Sequence, residues 1–151
     1  MANGEKMNKV IYLWHAKLDM PKHDLVWHTQ DVADELQELI EAKGLIGRWS
    51  ELSDISYTYT RALWSGHEDI SLPISKFKYR IGLIYMFPKY ELRWKFFSEL
   101  GKKLDPKVKV REVRNPKKAH KLKDIAQKYG FDQEQFADEA KKLMKSRFFF
   151  K

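Results

Sequence analysis

The chain has 151 residues, 43% of them hydrophobic and 14% aromatic, which is long enough to bury a core and too apolar for a disordered tail. It contains no cysteine, so disulfides and thiolate metal sites are excluded, as suits a reducing compartment. The formal net charge of +8, from 29 Lys+Arg against 21 Asp+Glu, favours anionic partners: nucleic acid, nucleotide phosphates or a membrane surface. No apolar run approaches the length of a membrane span, and MANGEKMNK lacks the apolar centre of a signal peptide. A single cytoplasmic domain spanning 1–151, without a membrane partner, is the expectation.

Residues 1–6 read as a frayed tail. Val10, Ile11, Leu13, Trp14 and Leu18 place a short helix over Asn8 to Met20, stopped or turned by Pro21. The next helix starts near Asp24 or Thr29 and runs to Lys43, with Leu25, Val32, Leu36, Leu39 and Ile40 at helical spacing and Gly44 as a left-handed cap. Leu45 to Trp49 forms a link containing Gly47. Ser50 then caps a helix to about Leu63, with Leu52, Ile55, Tyr59 and Ala62 inward and Glu51, Asp54, Thr58 and Arg61 on a polar strip. Residues 65–69 form a loop. Residues 75–87 alternate as a strand would but also fit a buried helix, and helix is favoured because the preceding helices need helical partners. Pro88 opens a further helix, carrying Leu92, Phe96 and Leu100, that Gly101 ends.

From 102 to 123 the chain is basic: Lys102, Lys103, Lys107, Lys109, Arg111, Arg114, Lys117, Lys118, Lys121 and Lys123 face only Asp105 and Glu112. Val108 and Val110 alternate with charge, so a short strand or extended segment near 107–113 is expected. A short helix over Lys117–Tyr129 ends at Gly130, and Asp132 caps a last helix to about Arg147. Phe148 to Phe150 form an apolar end in need of burial. The fold class is therefore mostly α, a helical bundle with an acidic helix pair.

That pair carries the chemistry. Glu35-Leu-Gln-Glu38 and Glu51-Leu-Ser-Asp54 each place two acids three residues apart, on one helix face. Antiparallel packing of the two helices would bring four carboxylates together. Such a cluster repels itself unless a cation sits within it, and all-oxygen ligands suit Mg²⁺ or Mn²⁺. Solvated helix faces are the plainer alternative.

E-x-x-E, twelve residues, then E-x-x-D on paired helices resembles the MazG-like all-α nucleoside triphosphate pyrophosphohydrolases, a superfamily that includes the dimeric dUTPases and the phosphoribosyl-ATP pyrophosphohydrolases. The match is best over 25–63. The resemblance implies that Glu35, Glu38, Glu51 and Asp54 bind Mg²⁺, that Glu38 also accepts the proton of the attacking water, and that a nucleoside triphosphate yields a monophosphate and pyrophosphate. It also implies a homo-oligomer. Phosphate contacts fall to Arg61, Lys76 and Arg80, with Lys142, Lys145 and Arg147 as the rival set. Lys76 and Arg80 are preferred because neighbours in sequence are usually neighbours in space.

Other signals are weaker. His15, His23, His28, His67 and His120 show no metal-ligand spacing, and ordinary half-buried or surface roles are expected. Trp49, Tyr57, Tyr59 and Trp64 could stack on a base, although aromatics at helical spacing more often fill a core. The alternative function is a basic helical nucleic-acid-binding or regulatory protein whose lysines contact phosphates. The enzyme reading expects weak, non-specific nucleic-acid binding.

Overall fold

The computed structural model describes residues 2–147, with side chains from residue 8 onward. Among them are six helices and no strand: α1 (Ala2–Lys17), α2 (Leu25–Glu41), α3 (Gly44–Trp64), α4 (Lys76–Leu104), α5 (Ala119–Tyr129) and α6 (Gln133–Ser146). The chain divides into two compact units, Met1–Lys89 and Tyr90–Lys151, and α4 begins in the first and ends in the second.

In the N-terminal unit, α1 starts at Ala2, so residues 2–6 are helical rather than a tail. The helix closes with Met20 N–H donating to the His15 carbonyl, and Asp19 takes the left-handed conformation at φ 52°. Aspartate tolerates that conformation better than most residues, and Pro21 cannot continue the helix. Helix α2 takes the earlier of the two expected starts, and Asp24 caps it, its carboxylate accepting from Trp27 N–H at 2.8 Å. The link to α3 is only Ala42 and Lys43. Gly44 does take positive φ, 75°, but it opens α3 instead of capping α2, and residues 45–49 are helical. Ser50 is therefore inside the helix. A connection this short lets the two helices fold back on each other, and α2 packs against α3.

Helix α4 is one element of 29 residues with Pro88 inside it, not two helices meeting at a proline. Pro88 has no N–H to give the Ile84 carbonyl, a local loss that the turns on either side outlast. Gly101 does not end α4, which continues to Leu104; a Cβ there would lie 2.5 Å from Val110 Cγ2. At Gly82 a Cβ would lie 2.2 Å from Ser56 Oγ and 2.3 Å from the Leu52 carbonyl oxygen, so glycine permits the close approach of α4 to α3. The approach is polar. Ser56 Oγ donates to the Leu52 carbonyl at 2.7 Å, Thr60 Oγ1 lies 3.0 Å from Tyr79 Oη, and Tyr79 Oη donates to Asn8 Oδ1 at 2.8 Å. Burial pushes the Tyr79 phenol up to about 12.

The C-terminal unit is built otherwise. Phe96, Phe97 and Leu100 of α4, Val110, Leu122, Ile125 and Ala126, and Phe136, Ala140 and Leu143 of α6 form one apolar cluster. Each large side chain fully buried there contributes ~1.5–3 kcal/mol. Residues 105–118 are irregular, with turns at 106–107 and 116–117, and form no strand. Gly130, at φ 74°, ends α5 in a left-handed cap with Phe131 N–H donating to the Ala126 carbonyl at 2.9 Å. Asp132 caps α6, as its sequence position predicts. The expected burial of Phe148 to Phe150 lies outside the described residues.

Candidate metal centre

The i, i+3 spacing within α2 puts Glu35 and Glu38 on one face, and the tight Ala42-Lys43 link turns α3 back so that Glu51 meets them. Ligand oxygens of Glu35, Glu38 and Glu51 all lie within 4.8 Å of one another. Glu35 and Glu51 are half-buried and Glu38 is exposed. Burial, and then the charges of Asp54, Glu38, Asp31 and Glu51, push the Glu35 carboxyl up to about 8. The cluster thus holds a proton at neutral pH that an ordinary glutamate would have lost. A hard divalent cation would relieve the same repulsion with the same three oxygens, so the donor set fits Mg²⁺ or Mn²⁺.

Asp54, the fourth acid of the pattern, is placed differently. Its Oδ2 accepts from Lys89 Nζ at 2.6 Å. The same ammonium donates to the Ser50 carbonyl at 3.0 Å, to Ser50 Oγ at 2.9 Å and to Ser53 Oγ at 3.0 Å. Only 10% of the Lys89 side chain is exposed, so the pair is shielded enough for its charge-assisted bonds to count. Lys89 is the cation that sequence reasoning missed. Its position one residue after a proline favours a helix start, whereas in the structure it is deep inside α4 and faces α3.

The three cations named for phosphate stand elsewhere. Arg61 is buried: its Nη2 donates to the Pro21 carbonyl at 3.1 Å, and its guanidinium lies 4.7 Å from the Trp27 ring centre. Lys76 and Arg80 are exposed on the first turns of α4 and make no ion pair with the acids. Lys76 precedes Lys89 by thirteen residues, about 20 Å along a helix axis. Of the rival set, Lys142 pairs with Glu139 at 2.6 Å, Arg147 pairs with Glu99, and Lys145 is exposed, all within the C-terminal unit.

The structure also gathers four of the five histidines. His15 is fully buried, with its ring 4.6 Å from Tyr57 and 5.4 Å from Trp64. His28 is fully buried, its Nε2 3.0 Å from Ser65 Oγ and its ring 5.3 Å from His67 and 6.1 Å from His23. His67 Nε2 lies 2.8 Å from the His23 carbonyl oxygen. Neither ring nitrogen of His15, nor His28 Nδ1, has a hydrogen-bond partner. Burial first, then the Arg61 charge, lowers His15 to about 3 and His28 to about 4. Both rings are therefore neutral near pH 7. No spacing in the sequence could have shown this group, since its members come from α1, the α1–α2 link, α2 and the loop after α3. His120 stands apart, exposed at the start of α5.

Of the aromatics considered for base stacking, Tyr57 and Trp64 pack on His15, and Tyr59 meets Tyr79 edge-on at 5.7 Å. Trp49 keeps 38% of its surface exposed two residues before Glu51, with its ring 6.4 Å from Tyr85. No helix among the described residues is long and apolar enough to cross a membrane. No protein-family model, curated protein or solved structure matches this chain.

Proposed function

We propose that the chain is a divalent-metal-dependent nucleoside triphosphate pyrophosphohydrolase of the MazG-like kind. One observation carries the proposal: Glu35, Glu38 and Glu51 converge from two antiparallel helices, and burial with mutual repulsion holds Glu35 at about 8. Glu35, Glu38 and Glu51 would hold Mg²⁺ or Mn²⁺. When bound, the ion supplies positive charge for the phosphates and for the attacking water. Glu38, the most exposed of the three, would accept that water's proton. Lys89 keeps an ammonium beside the acids, and an incoming phosphate would compete with Asp54 for it. Trp49 and Tyr85, their ring centres 6.4 Å apart, would offer an aromatic edge for a base. The exposed Val26, Ile46 and Phe77 of this unit agree with a homo-oligomer.

The test is a screen of the common dNTPs and NTPs with Mg²⁺ and with Mn²⁺, detecting pyrophosphate. Glu38→Gln and Glu51→Gln should each lower turnover by about 100-fold or more, the scale of losing one electrostatic group from a site, with unchanged helical circular dichroism. Lys89→Ala should raise KM more than Lys76→Ala or Arg80→Ala. Absence of turnover for every nucleotide with either metal would overturn the proposal.

A further inference from the structure

The C-terminal unit carries the whole charge excess of the chain. Residues 90–151 hold 18 Lys+Arg against 9 Asp+Glu, whereas residues 1–89 hold 11 against 12. The arrangement is ordered as well as basic. Val108 and Val110 pack on the apolar cluster, and the alternate residues Lys107, Lys109 and Arg111 are exposed. Lys107 sits in the turn that Val108 N–H closes by donating to the Asp105 carbonyl at 3.1 Å, and Lys109 and Arg111 follow it as alternate exposed residues. The acids of the segment are turned to structural use. Asp105 Oδ1 accepts from Lys107 N–H at 2.9 Å. Glu112 is buried and accepts from the Val113 and Arg114 N–H groups at 3.0 and 3.2 Å and from Arg114 Nη2 at 3.0 Å.

The segment is also fastened to the unit behind it. Tyr129 Oη accepts from Arg111 N–H at 3.0 Å and donates to the Arg111 carbonyl at 2.9 Å. Asn115 Oδ1 accepts from Lys117 N–H at 3.0 Å, and the exposed Lys117, Lys118 and Lys123 follow, with no acid in the first turn of α5. Held in this way, the cations meet a polyanion without first ordering the backbone.

We infer that this basic segment, with the exposed Lys107, Lys109, Arg111 and Lys117, binds the phosphate backbone of duplex nucleic acid without sequence preference. Two absences among the described residues 90–147 choose the partner. No large apolar side chain is exposed there, so these residues offer a lipid surface no apolar anchor; the exposed ones among the described residues all lie between Val10 and Ile84. No Phe, Tyr or Trp side chain is exposed there either, so a single strand finds no large stacking platform among these residues. The inference stands whether or not the N-terminal unit hydrolyses nucleotides.

The experiment is fluorescence anisotropy of the full chain with a labelled random-sequence duplex, with the same sequence as a single strand, and with phosphatidylserine–phosphatidylcholine vesicles as competitor. At about 50 mM salt the duplex should bind, and affinity should fall with a log–log slope of roughly −0.9 per phosphate neutralised. The triple variant Lys107→Glu/Lys109→Glu/Lys117→Glu should weaken binding at least tenfold and flatten the slope by about two to three. Lys76→Glu/Lys78→Glu, in the other unit, should stay within about threefold, and all variants should keep the wild-type melting curve, as exposed substitutions do. Milder Lys→Ala changes at the same three positions should give a smaller loss in the same order. No duplex binding at low salt, an equal loss from the Lys76/Lys78 variant, or preference for the vesicles over the duplex would each overturn the inference.

Discussion

In residues 1–89 the buried set includes His15, His28, Ser53, Ser56, Thr58, Thr60 and Arg61, whereas in the described part of residues 90–151 it is apolar apart from Glu112. The first unit fits a hydroxyl ladder, a four-histidine group and a buried arginine among its helices. The second packs phenylalanines and aliphatic side chains and keeps its charges outside. Buried polar groups must find partners or shift their protonation, and each imperfect solution costs stability. The unit that tolerates those costs is the one that also crowds three glutamates together. The difference teaches that the N-terminal unit buries polar and titratable groups among its helices, whereas the described part of the C-terminal unit packs an apolar cluster and leaves most of its charges at the surface.

The comparison can be broken first where the packing is driest. Phe136 is fully buried in the apolar cluster, stacked on Phe131 at 5.5 Å. Phe136→Ala should destabilise the C-terminal unit by ~3–5 kcal/mol in urea titration. A loss below about 1 kcal/mol would mean the cluster is not the main support of this unit.

A smaller and pH-dependent effect belongs to the acids. The Glu35 carboxyl is raised in the folded chain to about 8 from 4.5, so the folded state holds a proton that the unfolded chain releases. Stability from this group is present below about pH 4.5 and is lost as pH rises through about 8. Metal-free protein should therefore melt lower at alkaline than at mildly acidic pH. Glu35→Gln should remove much of that slope, and added Mg²⁺ should raise the wild-type melting temperature most on the alkaline side. Equal slopes for both proteins would show that the Glu35 proton does not control the stability of the pair.

The smallest effect, with the opposite sign, belongs to the histidines. His15 is lowered in the folded chain to about 3 from 6.5, so its contribution is present above about pH 6.5 and is lost as pH falls towards about 3. His15→Phe keeps a ring against Tyr57 and Trp64 and removes the titration. Its acid-unfolding midpoint should move to lower pH, with a change at neutral pH below about 1.5 kcal/mol. An unmoved midpoint would assign acid sensitivity elsewhere in the histidine group.

Much of the helical layout is legible along the chain because caps and periodicity are local. Asp24 and Asp132 cap the helices they precede, and Gly130 ends α5. The pairing of Glu35 and Glu38 with Glu51 follows from i, i+3 geometry and a short link. Local signals misplace an end where tertiary contact outweighs propensity. Pro88 and Gly101 both stay inside α4, the glycine because Val110 packs against its bare Cα. The helix that residues 75–87 leave open against a strand is settled by Gly82 and Tyr79 meeting Ser56 and Thr60.

What the sequence by itself determined is whatever depends on residues within a turn or two of each other: the helical class, the caps at Gly130 and Asp132, the acidic pair and the basic run. Only the tertiary structure decided which charges meet. Asp54 takes Lys89, thirty-five residues away, and Arg61 turns to Pro21 and Trp27. His15, His23, His28 and His67 come together from four separate segments, and Glu112 turns inward while Lys107, Lys109 and Arg111 turn out. A partner many residues away is chosen by packing and by the shielding of charge from water, and neither is written in the spacing of any one segment.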